Sequence, residues 1–193
     1  MPYAFQNVIR KQYTPVPVPH GFIPSTGTPK PHILWVGCSD SLILETETLG
    51  VLPDEIFVHR NLGNILSNGD LSSESAVDWC VGLLKVDHIV ICGHYDCALI
   101  DKGDGSELGG WHKNVTKLHH MNEDHLERVK SRLDDYCRHR RLEEVYVLAE
   151  VGWLKRQEIV KKAIEERGLQ IHAFVYDKAK NACVRLVEEQ EEN

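Results

Sequence analysis

A chain of 193 residues with a formal net charge of −7 has the length of one compact domain and no general attraction for nucleic-acid phosphates or anionic lipid. Hydrophobic residues make up 42% and charged residues 26%, an ordinary balance for a globular protein, and no apolar run is long enough to cross a bilayer. A membrane span and a nucleic-acid partner are therefore not expected, and the densest basic run is only the RHRR at 138–141.

Residues 1–30 carry prolines at 15, 17, 19 and 24, which oppose regular structure. They predict an extended N-terminal arm that lies on the body or on a neighbouring subunit. The same stretch lacks a basic flank, an apolar core and a small-residue cleavage site, so a cytoplasmic location is expected. In that compartment the six cysteines, at 38, 80, 92, 97, 137 and 183, read as reduced thiols or metal ligands rather than a disulfide framework.

Residues 31–193 read as a single α/β domain. The runs HILWVGC from His32, EIFVHRN from Glu55 and HIVICGH from His88 are β-branched and too short for helices, so they predict buried strands. Between the second and third, Ala76, Trp79, Cys80, Leu83 and Leu84 follow the spacing of an amphipathic helix, with Ser72 or Ser73 as its N-cap. A right-handed crossover of this kind makes its strands parallel neighbours. From 109 to 144 the composition is polar and helical, and the histidines at 112, 119, 120 and 125 there read as surface residues. The segment VYVLA from Val145 fits strand or helix, a helix follows to Gly168, and LQIHAFVYDK and ACVRLVEE read as a fourth and fifth strand. The fold class predicted is a mainly parallel central sheet flanked by helices.

In such sheets ligands bind beyond the carboxyl ends of the strands. The first strand delivers Cys38 and Asp40 to that end; the third delivers His94, with Cys97 three residues on. Two thiolates and an imidazole that converge on one point suit Zn2+, and three protein ligands leave the fourth tetrahedral position open, as catalytic sites do. Cys92, inside its strand, reads as core.

These residues stand in three motifs, CSDSL at 38–42, HRNLGN at 59–64 and GHYDC at 93–97, in the order and spacing of the β-class carbonic anhydrases, which the sequence resembles. The family pattern is Cys-Ser-Asp-Ser-Arg, His-Arg-Asn-x-x-Asn and Gly-His-x-x-Cys. The resemblance is strong over about 31–99 and returns in IHAFVYD near the end. It implies zinc held by Cys38, His94 and Cys97, reversible hydration of carbon dioxide to bicarbonate, and a homodimer or dimer of dimers. It also implies that Asp40 accepts a hydrogen bond from the attacking hydroxide and orients it.

The sequence departs from the family at Leu42, where the arginine that pairs with the aspartate is expected. Without that cation Asp40 is predicted to act, in a closed state, as a fourth zinc ligand, which lowers or pH-gates the activity. Arg60 is the alternative partner for Asp40. Trp35, Arg60 and Tyr176 match positions that form a bicarbonate-binding pocket in one subgroup of the family, although core burial of the two aromatics and a structural ion pair of Arg60 are the favoured account. Ala98 replaces a glycine usual after the metal-binding cysteine. Two rival functions follow: a catalytically silent zinc protein that binds bicarbonate or a partner, and a hydrolase of another small linear molecule such as carbon disulfide.

Overall fold

The computed structural model of the chain describes residues 13–101, 111 and 135–188. Histidines 112, 119, 120 and 125 lie outside them. Six strands, β1 (Tyr13–Pro17), β2 (Ile33–Cys38), β3 (Ile56–Asn61), β4 (His88–His94), β5 (Gln170–Asp177) and β6 (Ala182–Glu188), form one sheet in the order β1-β6-β5-β4-β2-β3. The four strands β3, β2, β4 and β5 are mutually parallel, and β6 and β1 close the other end antiparallel. The helices are α1 (Glu45–Leu49), α2 (Leu71–Val77), α3 (Ala98–Asp101), α4 (Asp135–Leu154) and α5 (Glu158–Arg167). This is the mainly parallel α/β architecture that the alternation of apolar runs predicts.

Both faces of β2 and β4 are buried, which is why those strands read as continuous apolar runs. Strand β3, expected to be buried as well, is the edge of the parallel set and is buried only at Ile56, with Val58 exposed. On one face Leu34, Val36, Ile89, Ile91, Ala173 and Val175 pack under helices α2, α4 and α5. On the other, Ile33, Trp35, Val90, Cys92, Phe174 and Tyr176 pack with Ile23 of the arm and Leu49 of α1. Cys92 is core, as read.

The proline-rich arm is more regular than its composition predicts. Tyr13–Pro17 is an edge strand, and Val18 continues its bonding by donating its N–H to Cys183 O at 2.9 Å. Thr14 and Val16 share the parity of Val18 along the strand, so Pro15 and Pro17, which have no N–H to give, face away from the sheet. Further along, the Glu55 carboxylate fastens the arm to the body. It accepts from the N–H of Leu52 at 2.8 Å, from the hydroxyls of Ser25 at 2.7 Å and Thr26 at 2.8 Å, and from the N–H of Gly27 at 2.9 Å. The donors hold its pKa down at about 2, chiefly through the Leu52 N–H and against the opposing effect of burial.

Helix α2 differs from its predicted frame in two ways. Its cap is Asp70, whose Oδ2 accepts from the N–H of Ser73 at 3.0 Å and from its hydroxyl at 2.7 Å, rather than Ser72 or Ser73. Beyond Val77 the chain widens into a π-helix over Asp78–Leu84, which turns fewer degrees per residue. The buried stripe is Ser73, Ala76, Val77, Cys80 and Val81, while Trp79 and Leu83 are 52% and 62% exposed. The ambiguous VYVLA belongs to α4. Residues 142–150 are buried all round the helix, which erases the amphipathic period that would have marked it.

Candidate metal centre

Strands β2 and β4 are neighbours in register from Ile33 and His88 to Gly37 and Cys92. Cys38 and His94, the last residues of the two strands, therefore emerge side by side at the carboxyl end of the sheet. Cys97 returns to them through a tight turn in which Asp96 adopts φ 61°, a left-handed conformation that aspartate tolerates better than most residues. One donor atom from each of Cys38, His94 and Cys97 lies within 4.8 Å of the others, and all three residues are buried; among the described residues no other His, Cys, Asp or Glu set converges in this way. Ala98 starts α3 at an ordinary negative φ, so this turn does not need a glycine at 98.

The protonation pattern suits a cation. Cys97 donates to the Cys38 sulfur and, against the opposing effect of burial, pulls its pKa down to about 4; His94 and the N–H groups of Asp40 and Gly63 add to this. The backbone N–H to sulfur distances are 3.4 Å for Asp40 and 3.2 Å for Gly63. Cys97, facing that thiolate and buried, is pushed up instead. Burial disfavours charge on His94, but the Cys38 thiolate outweighs it and the imidazole pKa is raised. His94 Nδ1 lies 3.2 Å from Tyr95 O and serves as its donor, which leaves the buried Nε2 as the free ligand atom, without a hydrogen-bond partner. A buried thiolate, a second thiol and an orphaned imidazole nitrogen fit a soft divalent cation, which displaces the shared proton. Two sulfurs and one nitrogen are a donor set of zinc sites.

The loops around this centre are braced from several sides. Asn61 closes the turn after β3: its Oδ1 accepts from Ile65 N–H at 2.8 Å and its amide donates to Ile65 O at 2.8 Å and to Ser73 Oγ at 3.0 Å. Glu150 of α4 receives the N–H groups of Leu66 and Ser67 at 2.8 and 2.9 Å. Gly63, at φ 78°, presents its N–H to Cys38, and a Cβ there would lie 2.6 Å from Leu99 Cδ2.

Asp40 and Leu42 stand on the exposed loop after β2, with Leu42 67% exposed. The Asp40 carboxylate is outside the three-donor cluster, and among the described residues no hydrogen bond or ion pair involves it. Arg60 does not take up the role of its partner. The guanidinium donates to Cys38 O at 2.9 Å, Ser41 O at 3.0 Å, Ile43 O at 2.7 Å and Glu45 Oε1 at 2.7 Å, spanning the loop from beneath. Trp35 and Arg60 approach each other at Gly37, whose absent Cβ would lie 2.8 Å from Trp35 Nε1 and 3.8 Å from Arg60 Cγ. Trp35 Nε1 is buried without a hydrogen-bond partner. Tyr176 shares the apolar cluster of Trp35, and its hydroxyl bonds Asn181 Oδ1 at 2.8 Å.

The family model for carbonic anhydrase matches residues 33–183, a span that includes every residue of the centre. The chain belongs to the β-class carbonic anhydrase family. A carbonic anhydrase of Emericella nidulans is 36% identical over 152 residues, covering 76% of this chain and 65% of that protein. A carbonic anhydrase of Candida albicans is 35% identical over 154 residues, covering 77% of this chain and 54% of that protein. This β-carbonic anhydrase chain thus spans less than two thirds of both relatives. Among solved structures, the β-carbonic anhydrase CafD of Aspergillus fumigatus superposes with a TM-score of 0.75 at 32% identity, covering 91% of this chain and 99% of that one. Tetrameric β-carbonic anhydrases of Sordaria macrospora give a TM-score of 0.71 at 34% identity, covering 84% and 82%.

The structure brings together the three residues that the sequence singled out, and the sequence missed the carboxylates that brace the loops around them. Glu143 and Glu144 end the stretch read as polar and helical and Glu150 follows the ambiguous VYVLA, yet all three are buried. The one signal available was their place in a run too apolar for a surface helix.

Proposed function

We propose that the chain is a zinc-dependent carbonic anhydrase that hydrates carbon dioxide reversibly to bicarbonate and a proton, with low or pH-gated activity. The observation that carries this reading is the buried convergence of Cys38, His94 and Cys97 at the strand ends, in a chain of this family. These three residues would hold Zn2+, which when bound would supply a water acidified toward a pKa of about 7 for attack on carbon dioxide. The N–H groups of Asp40 and Gly63 hold the Cys38 sulfur in place as a thiolate. The Asp40 carboxylate, on the same loop, accepts the hydrogen bond of the attacking nucleophile and orients it.

With leucine at 42 and Arg60 engaged by Cys38, Ser41, Ile43 and Glu45, Asp40 has no side-chain cation of its own. At neutral pH its carboxylate would then compete with water for the ion, and rising pH would favour hydroxide as the competitor. A bicarbonate ion bound near Trp35 and Tyr176 would belong to the closed state; the buried, unbonded Trp35 N–H favours it, while the Arg60 guanidinium is occupied by the carbonyls of Cys38, Ser41 and Ile43 and by Glu45. The exposed apolar side chains Leu42 and Leu44 after β2 and Val58 and Leu62 of and after β3 suit burial against a second copy, as a homodimer or dimer of dimers. Among the described residues no helix is long and apolar enough to cross a membrane.

Stopped-flow hydration of carbon dioxide by the zinc-loaded protein, from about pH 6.5 to about pH 9, tests the proposal. A rate that rises with pH and disappears in Cys97→Ala is expected. A rate at background throughout identifies a silent bicarbonate-binding protein instead, and turnover of carbon disulfide alone identifies the other hydrolase.

A further inference from the structure

The turn that carries Cys97 is held from outside by α4. The N–H of Cys97 donates to Glu143 Oε1 at 2.6 Å, and the Tyr95 hydroxyl donates to Glu144 Oε1 at 2.9 Å. Consecutive helical residues point about 100° apart. One carboxylate thereby takes the backbone at the end of the turn, while the next takes the side chain at its beginning. The Arg140 guanidinium lies 3.5 Å above the Tyr95 ring and pairs with Asp177 of β5 at 2.5 Å, and Arg141 pairs with Glu144 at 2.9 Å. From the other side, the N–H of Tyr95 donates to Tyr176 O at 3.0 Å. Glu143 and Glu144 are both buried. The turn they grip includes the left-handed Asp96, a conformation that costs about 1 kcal/mol and persists only where its surroundings impose it.

We propose that Glu143 and Glu144 are positioning residues of the metal centre, clamping the Tyr95–Cys97 turn so that the sulfur of Cys97 meets those of Cys38 and His94 Nε2 before any ion arrives. Glu143 acts through the Cys97 backbone and Glu144 through the Tyr95 ring; neither is a ligand. The role rests on the zinc reading of the site and adds two residues to it. Groups that orient ligands in this way are worth about 10- to 100-fold in metal affinity.

Reach and charge separate cleanly at position 143. Glu143→Gln keeps an acceptor oxygen at the same reach without the charge; Glu143→Asp keeps the charge and withdraws the acceptor by one methylene. Zn2+ affinity, measured on the full chain by competition with a chromophoric chelator, is expected within about threefold of wild type for Glu143→Gln and about 10- to 100-fold weaker for Glu143→Asp. The sulfur-to-metal charge-transfer band of the Co2+-loaded protein is expected to be retained in the first variant and diminished in the second. Tyr95→Phe, which removes only the hydroxyl donor to Glu144, is expected to weaken Zn2+ binding more than threefold while leaving the thermal unfolding of chelator-treated protein within a few degrees of wild type. Equal affinities for Asp, Gln and wild type at 143 overturn the role of Glu143. A loss in Glu143→Gln as large as that in Glu143→Asp assigns the effect to charge and overturns it too. Tyr95→Phe with wild-type affinity overturns the role of Glu144. Wild-type protein that binds Zn2+ but hydrates no carbon dioxide refutes the enzymatic reading and leaves the clamp standing, whereas protein that takes up neither Zn2+ nor Co2+ overturns both.

Discussion

Replacing Arg60 separates a structural bolt from a ligand-binding residue. The loop between β2 and α1 has no regular structure, so its carbonyls depend on outside donors. Arg60 supplies three of them, to Cys38, Ser41 and Ile43, and its side chain is only 26% exposed. At about 0.5–1.5 kcal/mol net for each bond, Arg60→Ala should cost about 2–4 kcal/mol. The half-buried pair with Glu45 adds less than about 1 kcal/mol once solvent screening is allowed for. Such a loss lowers Tm by about 5–15 °C in a chain of this size. Arg60→Lys should recover no more than about 1 kcal/mol, because one ammonium does not reproduce the planar fork that reaches three carbonyls at once. Equilibrium urea unfolding at fixed protein concentration, with zinc in excess, gives the comparison. A loss below about 0.5 kcal/mol for Arg60→Ala, or a lysine variant as stable as wild type, would refute the assignment of Arg60 as the brace of this loop.

Three further outcomes follow from the same geometry. Leu42→Arg returns a cation to the loop beside Asp40 and should raise kcat/KM for carbon dioxide hydration near neutral pH by about tenfold, with a smaller gain at alkaline pH; an unchanged pH profile refutes the gating. Glu55 has a carboxyl pKa lowered from 4.5 to about 2 by its ring of donors. The stability it contributes is therefore present above about pH 4.5 and lost as pH falls toward 2, so the Tm difference between wild type and Glu55→Gln should shrink across that window and stay level above it. Gly93→Ala places a Cβ 2.6 Å from Val147 Cγ2, and a β-branched residue in a helix has little freedom to retreat. It should cost about 1–3 kcal/mol in urea unfolding, most of it restored by adding Val147→Ala.

The convergence was legible in the sequence because two of its donors follow directly from strand ends: once two buried strands terminate in Cys38 and His94, a parallel pairing leaves them adjacent, and Cys97 stands only three residues beyond the second. Helix α2 was legible in kind but not in phase. Its stripe depends on turn angle, and the π-helix that rotates Trp79 and Leu83 into solvent has no marker of its own in DWCVGLL. Asp70 was overlooked as the cap because two serines stand nearer the apolar stripe, yet only its position three residues before Ser73 gives the reach a cap needs. Arg60 was read as a partner for Asp40 or for bicarbonate, and its actual hydrogen bonds run to backbone carbonyls, whose directions no residue pattern encodes. The buried carboxylates of α4 escaped for a related reason: a glutamate that caps loops from within looks, in one dimension, like a glutamate in water.

The sheet has two ends of unlike character. At β1 the outward positions include Pro15 and Pro17, so that rim lacks the donors a further strand would need. At β3, among the described residues, only β2 is paired, and Val58 is exposed on the strand. Any growth of the sheet by edge-to-edge pairing therefore has one open terminus and one blocked one. Were two molecules joined at their open rims, a third would meet, among the described residues, only the proline-bearing margin of β1. The prolines thus act as a length limiter: among the described residues they leave the β3 rim, and not the β1 rim, able to template a further strand.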